Sequence, residues 1–309
     1  MASPQQMSTD PAFERAILCV FHALPSATAL DQQTAQAQLD DLSTRPIALF
    51  DTCMVHLELS QRIEVQFYAL QALHGLIQSG GYAALDDVRK QALKGSLLQR
   101  GSFSTNSSQS PPPLFMRNKL AQVIVAVAAE EYPARWPSFF SDVLGAVNDN
   151  PASVDCFSRI MISIHEDIIS LEVPRSAAGA KASMTFKDAM RDNALEQVAA
   201  SWHQLLVVFK SSDPGLVALL LNGVERYVNW IDVSLVANER FTPILFEVLN
   251  SEHSTHGVAQ VAAVGVLAEI VGKKMEPGVK LSLIQGLGLV PLAAQWAETG
   301  LPGMMSCVP

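Results

Sequence analysis

Helical periodicity is the feature that most constrains what this chain can fold into. Apolar residues recur every three or four positions in most segments, as they do on the buried face of an α-helix. In Arg62–Gln78 the predicted buried stripe consists of Ile63, Phe67, Leu70, Leu73 and Ile77, and Gly80-Gly81 ends the helix. Alternation typical of β-strands is nearly absent, so the sequence predicts an all-α protein.

The number and spacing of the helices indicate a repeat architecture. More than ten predicted helices joined by short turns form pairs of roughly 40 residues, the period of HEAT repeats. We therefore expect a HEAT-like α-solenoid, an ARM-like α-α superhelix of helix pairs in an open curved array. A compact all-α bundle is the alternative.

Local residues place the ends of several of the predicted helices. The first begins at Pro11, with Asp10 as its N-cap. A long one is predicted from the apolar stripe that runs from Phe186 to Phe209, and the last from Pro277 to Glu298. The Ser/Pro-rich segment 101–113 cannot build a core and is expected to be an exposed, mobile loop.

The charge balance is acidic and uneven. The 309 residues carry a formal charge of −9, and the first 60 residues contain seven acidic and only two basic side chains. Such a region repels phosphate, so a basic protein surface is a better partner there than nucleic acid. The alternative is that the acidic surface serves only solubility.

Cysteine usage and hydropathy indicate the compartment. Four cysteines lie far apart without a CxxC pair, which is typical of a reducing environment. The N-terminus does not have the layout of a signal peptide, and the apolar runs are shorter than the ~20 residues of a membrane span. The sequence predicts a soluble intracellular protein without membrane insertion.

Two dipeptides near the middle of the chain end in proline, Tyr132-Pro133 and Trp136-Pro137, and are called the proline phrases below. Proline disfavours helix in the residue before it, so the first phrase ends one helix and the second begins the next. Tyr132 and Trp136 are predicted to turn inward and anchor this connection. Trp202, Trp230 and Trp296 also lie on apolar stripes, and Trp230 is counted among the structural anchors.

Signals of enzyme chemistry are poor. His253 and His256 are three residues apart but have no cysteine nearby, so no metal site is expected. The stretch QGLGLVP has neither the spacing nor the lysine of a phosphate-binding loop, and no nucleophile elbow is present. We expect a binding protein rather than an enzyme.

Four stretches carry a resemblance to a known family. The stretches are RNKLAQVIVAVAAEEYPARWPSFFSDVL, FYALQAL, FKDAMRDNALEQVAASWHQLL and ERYVNWIDVSLVANERFTPIL. They resemble the exportin branch of the importin-β family, and the last two resemble most closely the members that carry mature transfer RNA out of the nucleus. This resemblance implies a HEAT-repeat nuclear transport receptor that acts by stoichiometric binding.

The resemblance also implies partners. In this family the N-terminal repeats bind the GTP-bound form of Ran, and Ran and the receptor enclose the cargo together. We therefore expect Ran-GTP and transfer RNA as partners, contacts with nuclear pore components, and shuttling between nucleus and cytoplasm. No cofactor is expected, since GTP would be bound only to Ran.

The implied organisation divides the chain into four parts. They are a Ran-binding end at 1–100, the loop at 101–113, exportin-like HEAT repeats at 114–298, and a tail at 299–309 that does not have the features of a capping repeat. Because family receptors are several-fold longer, we interpret the sequence as the N-terminal portion of such a receptor, a truncated gene model or a short isoform.

Candidate contact residues follow from the helix faces. For Ran they are Glu64, Tyr68, Gln71, Asn118 and Gln122, and the alternative is that these side chains are only solvated. For RNA they are Lys187 and Arg191, one helical turn apart. The alternative is a local ion pair with Asp188 or Asp192, or solubility alone.

Two other functions stay open at this point. One is an exportin-family receptor for another RNA or a protein cargo. The other is a HEAT-repeat scaffold that holds protein partners without nucleotide control.

Overall fold

The regular structure of the chain is helical throughout the part that can be described. The structure, a computed structural model, describes residues 8–102, 111–148, 150–251, 257–291 and 294. None of these residues lies in a β-strand, and the predicted all-α class is confirmed. The chain divides into two compact units, 1–130 and 131–309.

The first unit contains a series of amphipathic helices that pack in sequential pairs. Helix α1 packs on α2. Helix α3 packs between α2 and α4, and α1 also contacts α4. Their bounds are α1 Pro11–Val20, α2 Ala29–Ser43, α3 Pro46–Leu59, α4 Ile63–Gln78, α5 Asp87–Ser102 and α6 Leu114–Glu131, the last reaching the unit boundary.

Local chemistry sets the beginnings and ends of these helices. The Asp10 carboxylate accepts a hydrogen bond from the Ala12 N–H at 2.9 Å, as predicted for the start of α1. Thr28 and Asp31 form a reciprocal capping box at the start of α2. After α4, Gly80 adopts a φ of +81°, a left-handed conformation that glycine reaches without strain, and the predicted end of that helix is confirmed.

The second unit is built around α11, which packs against α8, α10 and α13. In its core the fully buried rings of Trp202 and Tyr227 lie 5.3 Å apart, and the Tyr227 hydroxyl donates to the Met161 carbonyl at 2.8 Å. The bounds are α7 Phe139–Ala146, α8 Pro151–Ile164 with a π-helical turn at His165–Ile169, α9 Ala177–Asn193, α10 Leu195–Phe209, α11 Pro214–Val228, α12 Phe241–Leu249, α13 Gly257–Gly272 and α14 Pro277–Gly286.

The single long helix predicted from the stripe Phe186–Phe209 is wrong. The chain forms two helices, α9 and α10, which are separated at Ala194, where φ is −134°. The Asn193 side chain donates to the Ala189 carbonyl, which is a local bond that competes with the helical backbone. The stripe itself is buried in both helices, since Phe186, Met190 and Trp202 are each at most 2% exposed.

The last predicted helix is also shorter than expected. It ends at Gly286 rather than running on to Glu298, and Gly288 has a φ of +64° before the backbone becomes helical again at 289–291. A left-handed glycine interrupts the helical hydrogen-bond pattern. Trp296, Glu298 and the tail 299–309 lie outside the described residues.

The proline phrases connect α6 and α7. Helix α6 ends at Glu131, directly before Tyr132-Pro133, as predicted. Helix α7 begins at Phe139 rather than at Pro137, because the Phe139 N–H closes a turn onto the Trp136 carbonyl at 3.1 Å. Tyr132 and Trp136 are only 7% and 4% exposed.

An aromatic cluster surrounds these two rings. The Tyr132 ring lies 4.9 Å from Phe186 and 5.2 Å from Phe140, and the Trp136 ring lies 5.0 Å from Phe139. Their edge-to-face geometry is the arrangement that aromatic pairs favour. Pro133 is half-buried and Pro137 is exposed, so the prolines shape the connection while the aromatic rings fill the core.

Within the described residues, no helix combines the length and the hydropathy that crossing a bilayer requires.

Candidate functional site

The exposed face of α4 carries the first group of candidate contacts. Gln71 is exposed, whereas Glu64 and Tyr68 are half-buried. Ile63 and Phe67 are half-buried, so the assignment of these two residues to the buried stripe is wrong, and Phe67 belongs to the same side of α4 as the candidate contacts. The buried face of α4 is broader than predicted, because it also includes Val65, Ala69 and Leu76, which are at most 4% exposed.

Tyr68 is fixed by its surroundings. Its ring meets that of Phe13 edge-on at 5.7 Å, so α1 holds one side of it. Burial raises the pKa of Tyr68 to about 12. The hydroxyl is protonated at neutral pH, as that of an ordinary tyrosine is, and the contact with Phe13 restricts the side chain.

Helix α6 carries the second group of candidate contacts, with Asn118 exposed and Gln122 half-buried. Contacts between α4 and α6 include an aromatic pair and a polar pair. The Phe67 and Phe115 rings lie 5.1 Å apart, and the Lys119 ammonium lies 3.5 Å from Nδ1 of His74. Gln71 lies between Phe67 and His74 in α4, and Asn118 lies between Phe115 and Lys119 in α6. The two candidate groups therefore lie on neighbouring helices.

Sequence reasoning missed an aromatic row beside these polar residues. Phe21 and Phe115 are 40% and 47% exposed, and both rings contact Phe67, at 6.3 Å and 5.1 Å. Exposed large aromatic side chains are enriched at protein interfaces, where they contribute much of the affinity. The signal in the sequence was the position of Phe115 in the first turn of α6, two residues after the last of three consecutive prolines.

The two candidate RNA contacts differ in their environment. Arg191 forms an ion pair with Asp188 at 2.9 Å, and its guanidinium lies 5.2 Å from the centre of the Trp230 ring. The ion pair with Asp188, which was the alternative to an RNA contact for Arg191, is therefore present. Lys187 is half-buried and makes no ion pair within the described residues. The two cations lie on one side of α9.

Trp230 is less buried than its assignment as an anchor implied. It is half-buried, whereas Trp202 is fully buried, because Trp230 lies two residues beyond the end of α11. One side of its ring packs on Tyr227 at 6.0 Å and Arg191 lies over the ring. The result is a cation–π pair at the surface, an arrangement that nucleic-acid-binding proteins also use.

Groups for metal binding do not converge in the described part of the chain. No cluster of three or more His, Cys, Asp or Glu side chains is close enough there to hold a metal ion. His253 and His256 lie outside the described residues. Burial raises the pKa of the Cys53 and Cys156 thiols to about 12, so neither provides a thiolate at neutral pH.

The sequence profile of the exportin 1-like protein family matches residues 113–267. The chain belongs to the exportin 1-like family. The matched part includes the Tyr132–Trp136 connection, Arg191 and Trp230, while α4 lies before it. Membership confirms the resemblance to the exportin branch, and with the helical structure it confirms the predicted HEAT-like α-solenoid class.

Individual relatives extend the comparison beyond that segment. The chain is 36% identical over 245 residues to Exportin-T of Oryza sativa subsp. japonica, a match that covers 79% of the chain and 24% of the relative. It is 34% identical over 278 residues to Exportin-T of Arabidopsis thaliana, covering 89% and 28%, and 31% identical over 267 residues to Exportin-T of Homo sapiens, covering 85% and 27%. The chain spans about a quarter of the length of these relatives.

Proposed function

We propose that this chain is the Ran-binding part of a nuclear export receptor that carries mature transfer RNA from the nucleus to the cytoplasm. The observation that carries the proposal is the similarity to Exportin-T proteins of plants and animals over most of the chain. The receptor would act by stoichiometric binding and would shuttle through nuclear pores. GTP would be held by Ran, not by this chain.

We place the Ran contact on α4 and α6. Gln71 and Asn118 are exposed, Tyr68 lies one turn before Gln71 on α4, and the aromatic row Phe21, Phe67 and Phe115 offers apolar area. GTP orders the switch loops of a GTPase, so a helical surface of fixed geometry can select that state. The acidic first 60 residues favour a basic protein surface over nucleic acid at this end.

Capture of Ran tests the first half of the proposal. The purified chain is immobilised and mixed with Ran loaded with a non-hydrolysable GTP analogue or with GDP. We expect retention of the GTP form only. Equal capture of both forms, or of neither, would contradict Ran-GTP binding, and capture of other proteins regardless of nucleotide would favour a HEAT-repeat scaffold.

An RNA gel shift tests the cargo. Transfer RNA and a hairpin precursor RNA are titrated at increasing salt in the presence of Ran-GTP, because phosphate contacts weaken as salt rises. We expect transfer RNA to bind more tightly than the hairpin, and more weakly to this chain than to a full-length relative. A preference for the hairpin would assign the chain to a receptor with another cargo.

The Arg191–Trp230 pair is our proposed RNA contact in this chain, together with Lys187. Exchange of the Asp188 carboxylate for an RNA phosphate would keep Arg191 paired while it stays over the Trp230 ring. Because the Arg191–Asp188 pair is exposed, breaking it costs little. Asp188→Asn is therefore expected to strengthen RNA binding, and Arg191→Gln to weaken it.

A further inference from the structure

The backbone is strained directly after α1. The helix ends at Val20, and His22, two residues further on, has a φ of +55°. This left-handed conformation is unfavourable for a residue with a Cβ atom. Within the part of the chain that the structure describes, His22 is the one residue other than glycine that adopts it. Strained backbone of this kind is concentrated at functional sites, so the role of the His22 side chain needs an explanation.

The conformation of His22 arises from the way in which α1 is terminated. The Ala23 N–H donates to the Leu18 carbonyl at 2.8 Å, and the His22 N–H donates to the Cys19 carbonyl at 3.1 Å. These two bonds form a Schellman motif, in which the residue at the position of His22 is left-handed and is usually glycine. The end of the helix therefore requires the backbone conformation of His22 but not its imidazole.

Helix α4 ends in the same conformation with a glycine. Gly80 lies two residues beyond Gln78, the last residue of α4, and has a φ of +81°. Its N–H donates to the Ile77 carbonyl at 3.0 Å, the bond that corresponds to the one between His22 and Cys19. The chain thus uses the unstrained residue at one helix end and histidine at the other, although glycine would satisfy the same backbone bonds in both.

A hydrogen bond fixes the tautomer of the His22 imidazole. Its Nδ1 lies 2.9 Å from the side-chain amide nitrogen of Gln32 on α2. Because an amide nitrogen only donates, Nδ1 accepts this bond and the neutral ring carries its proton on Nε2. His22 is exposed, and its Nε2 forms no hydrogen bond within the described residues. The ring therefore presents an oriented N–H donor to solvent.

This donor lies beside the aromatic row of the proposed Ran contact. Phe21, which directly precedes His22, is 40% exposed, and its ring lies 6.3 Å from that of Phe67 on α4. Protein interfaces combine apolar contacts with hydrogen bonds from groups at their edge. We infer that His22 is a contact residue for the GTPase, which accepts a hydrogen bond from Nε2–H through a carbonyl or carboxylate oxygen while its apolar surface packs on Phe21. The inference rests on the proposed Ran binding.

Replacing His22 with glycine separates a contact role from a role in folding. Glycine adopts the left-handed conformation without strain, so the urea midpoint of His22→Gly should equal or exceed that of the unmodified chain. Its affinity for Ran loaded with a non-hydrolysable GTP analogue should fall about fivefold, the loss expected for one neutral hydrogen bond. Unchanged affinity would overturn the inference, and so would a lower urea midpoint, because it would assign the imidazole a structural role.

Two further variants control this experiment. Gly80→His places histidine at the corresponding position of α4, where it should lower the urea midpoint because of the left-handed backbone. Gln36→Ala removes a side chain of α2 that is exposed and bonded to Asp40 at 2.8 Å, and should leave the affinity for Ran unchanged. An unchanged midpoint in Gly80→His would contradict the strain argument, and an equal loss of affinity in Gln36→Ala would contradict a specific role of His22.

Nitrogen NMR tests the orientation of the donor without Ran. Long-range proton–nitrogen correlation spectra of the ¹⁵N-labelled chain, recorded at slightly alkaline pH, distinguish the two neutral tautomers of each histidine. The signals that are absent in His22→Gly belong to His22. We expect the Nε2–H tautomer in the unmodified chain and a mixture of tautomers in Gln32→Ala. A proton on Nδ1 in the unmodified chain would overturn the assigned donor.

The binding of Ran by the unmodified chain shows which claim fails. If the unmodified chain does not bind Ran loaded with the GTP analogue, the proposed function is contradicted, and the contact role of His22 with it. If the unmodified chain binds and His22→Gly binds equally well, only the inference about His22 is contradicted and the contact on α4 and α6 stands.

Discussion

The indole N–H of Trp136 donates a hydrogen bond to a carboxylate oxygen of Asp142, 2.7 Å away. The Ser138 hydroxyl donates to the same oxygen at 2.9 Å. Asp142 lies in the first turn of α7, where a negative charge is also favoured by the helix dipole. One carboxylate therefore fixes the buried Trp136 ring to the helix that follows it.

Replacing Trp136 with phenylalanine should destabilise the protein. Trp136→Phe removes the bond to Asp142 and part of the ring volume, and we expect the free energy of unfolding to fall by about 2 kcal/mol. Urea denaturation followed by circular dichroism measures it. The control Glu172→Gln changes an exposed carboxylate and should stay within about 0.5 kcal/mol of the original. A Trp136→Phe variant as stable as the control would contradict the role of this bond.

Lys273 is predicted to hold the end of α11. Its ammonium donates to the carbonyls of Val228, Asn229 and Ile231 at 2.7, 3.0 and 2.9 Å, which are acceptors at a helix end. Lys273→Met should lower the free energy of unfolding by about 2–3 kcal/mol, because these carbonyls lose a charged donor.

The adjacent Lys274 provides the matched control for this change. It is exposed, and Lys274→Met alters the same charge at almost the same position in the chain. We expect a change within about 0.5 kcal/mol in urea denaturation. If both variants lose the same stability, net charge rather than the cap is responsible.

His165 should make the protein less stable in mild acid. Burial lowers its pKa below the ordinary 6.5, the nearby Arg226 lowers it further, and Glu172 acts in the opposite direction. The unfolded chain therefore binds more protons between the folded-state pKa and 6.5. The contribution of His165 to stability is complete above pH 6.5 and is lost as the pH falls through the folded-state pKa.

The measurement is the urea midpoint at pH 7 and at pH 5. His165→Gln should lose less stability over this interval than the unmodified chain, whereas the control Gln197→Ala, an exposed residue of α10, should keep the full loss. An identical loss in all three proteins would show that other groups cause the acid sensitivity.

Gln71 is the most accessible of the proposed Ran contacts on α4. Gln71→Arg places a large cation at the centre of the exposed face, and we expect the affinity for Ran-GTP to fall at least tenfold without loss of stability, equivalent to about 1.4 kcal/mol or more of binding free energy. Gln91→Arg on the exposed side of α5 is the control. Fluorescence anisotropy of labelled Ran measures both, and equal affinity of the two variants would exclude Gln71 from the contact.

Local sequence chemistry predicted much of the fold. The start of α1 at Pro11 follows from the Asp10 cap, and the end of α4 follows from Gly80, because each depends on a few neighbouring residues. The break at Ala194 was missed because the apolar stripe continues through it. Hydrophobic periodicity does not reveal a side chain that competes for backbone hydrogen bonds, as the Asn193 amide does at the Ala189 carbonyl.

Features formed by distant residues could not be predicted in the same way. Phe67 fits an apolar stripe in the sequence, but its position toward Phe21 and Phe115 depends on how α1 and α6 pack beside α4. Such geometry arises from tertiary packing, which a single sequence does not specify locally.

The ratio of two dissociation constants tests the central claim most directly. The affinity of the chain for Ran loaded with a non-hydrolysable GTP analogue is compared with its affinity for Ran-GDP by fluorescence anisotropy at physiological salt. The proposed function predicts at least about 100-fold tighter binding of the GTP form, equivalent to about 2.7 kcal/mol of selectivity. Equal dissociation constants for the two forms, or no measurable binding of Ran-GTP, would contradict it.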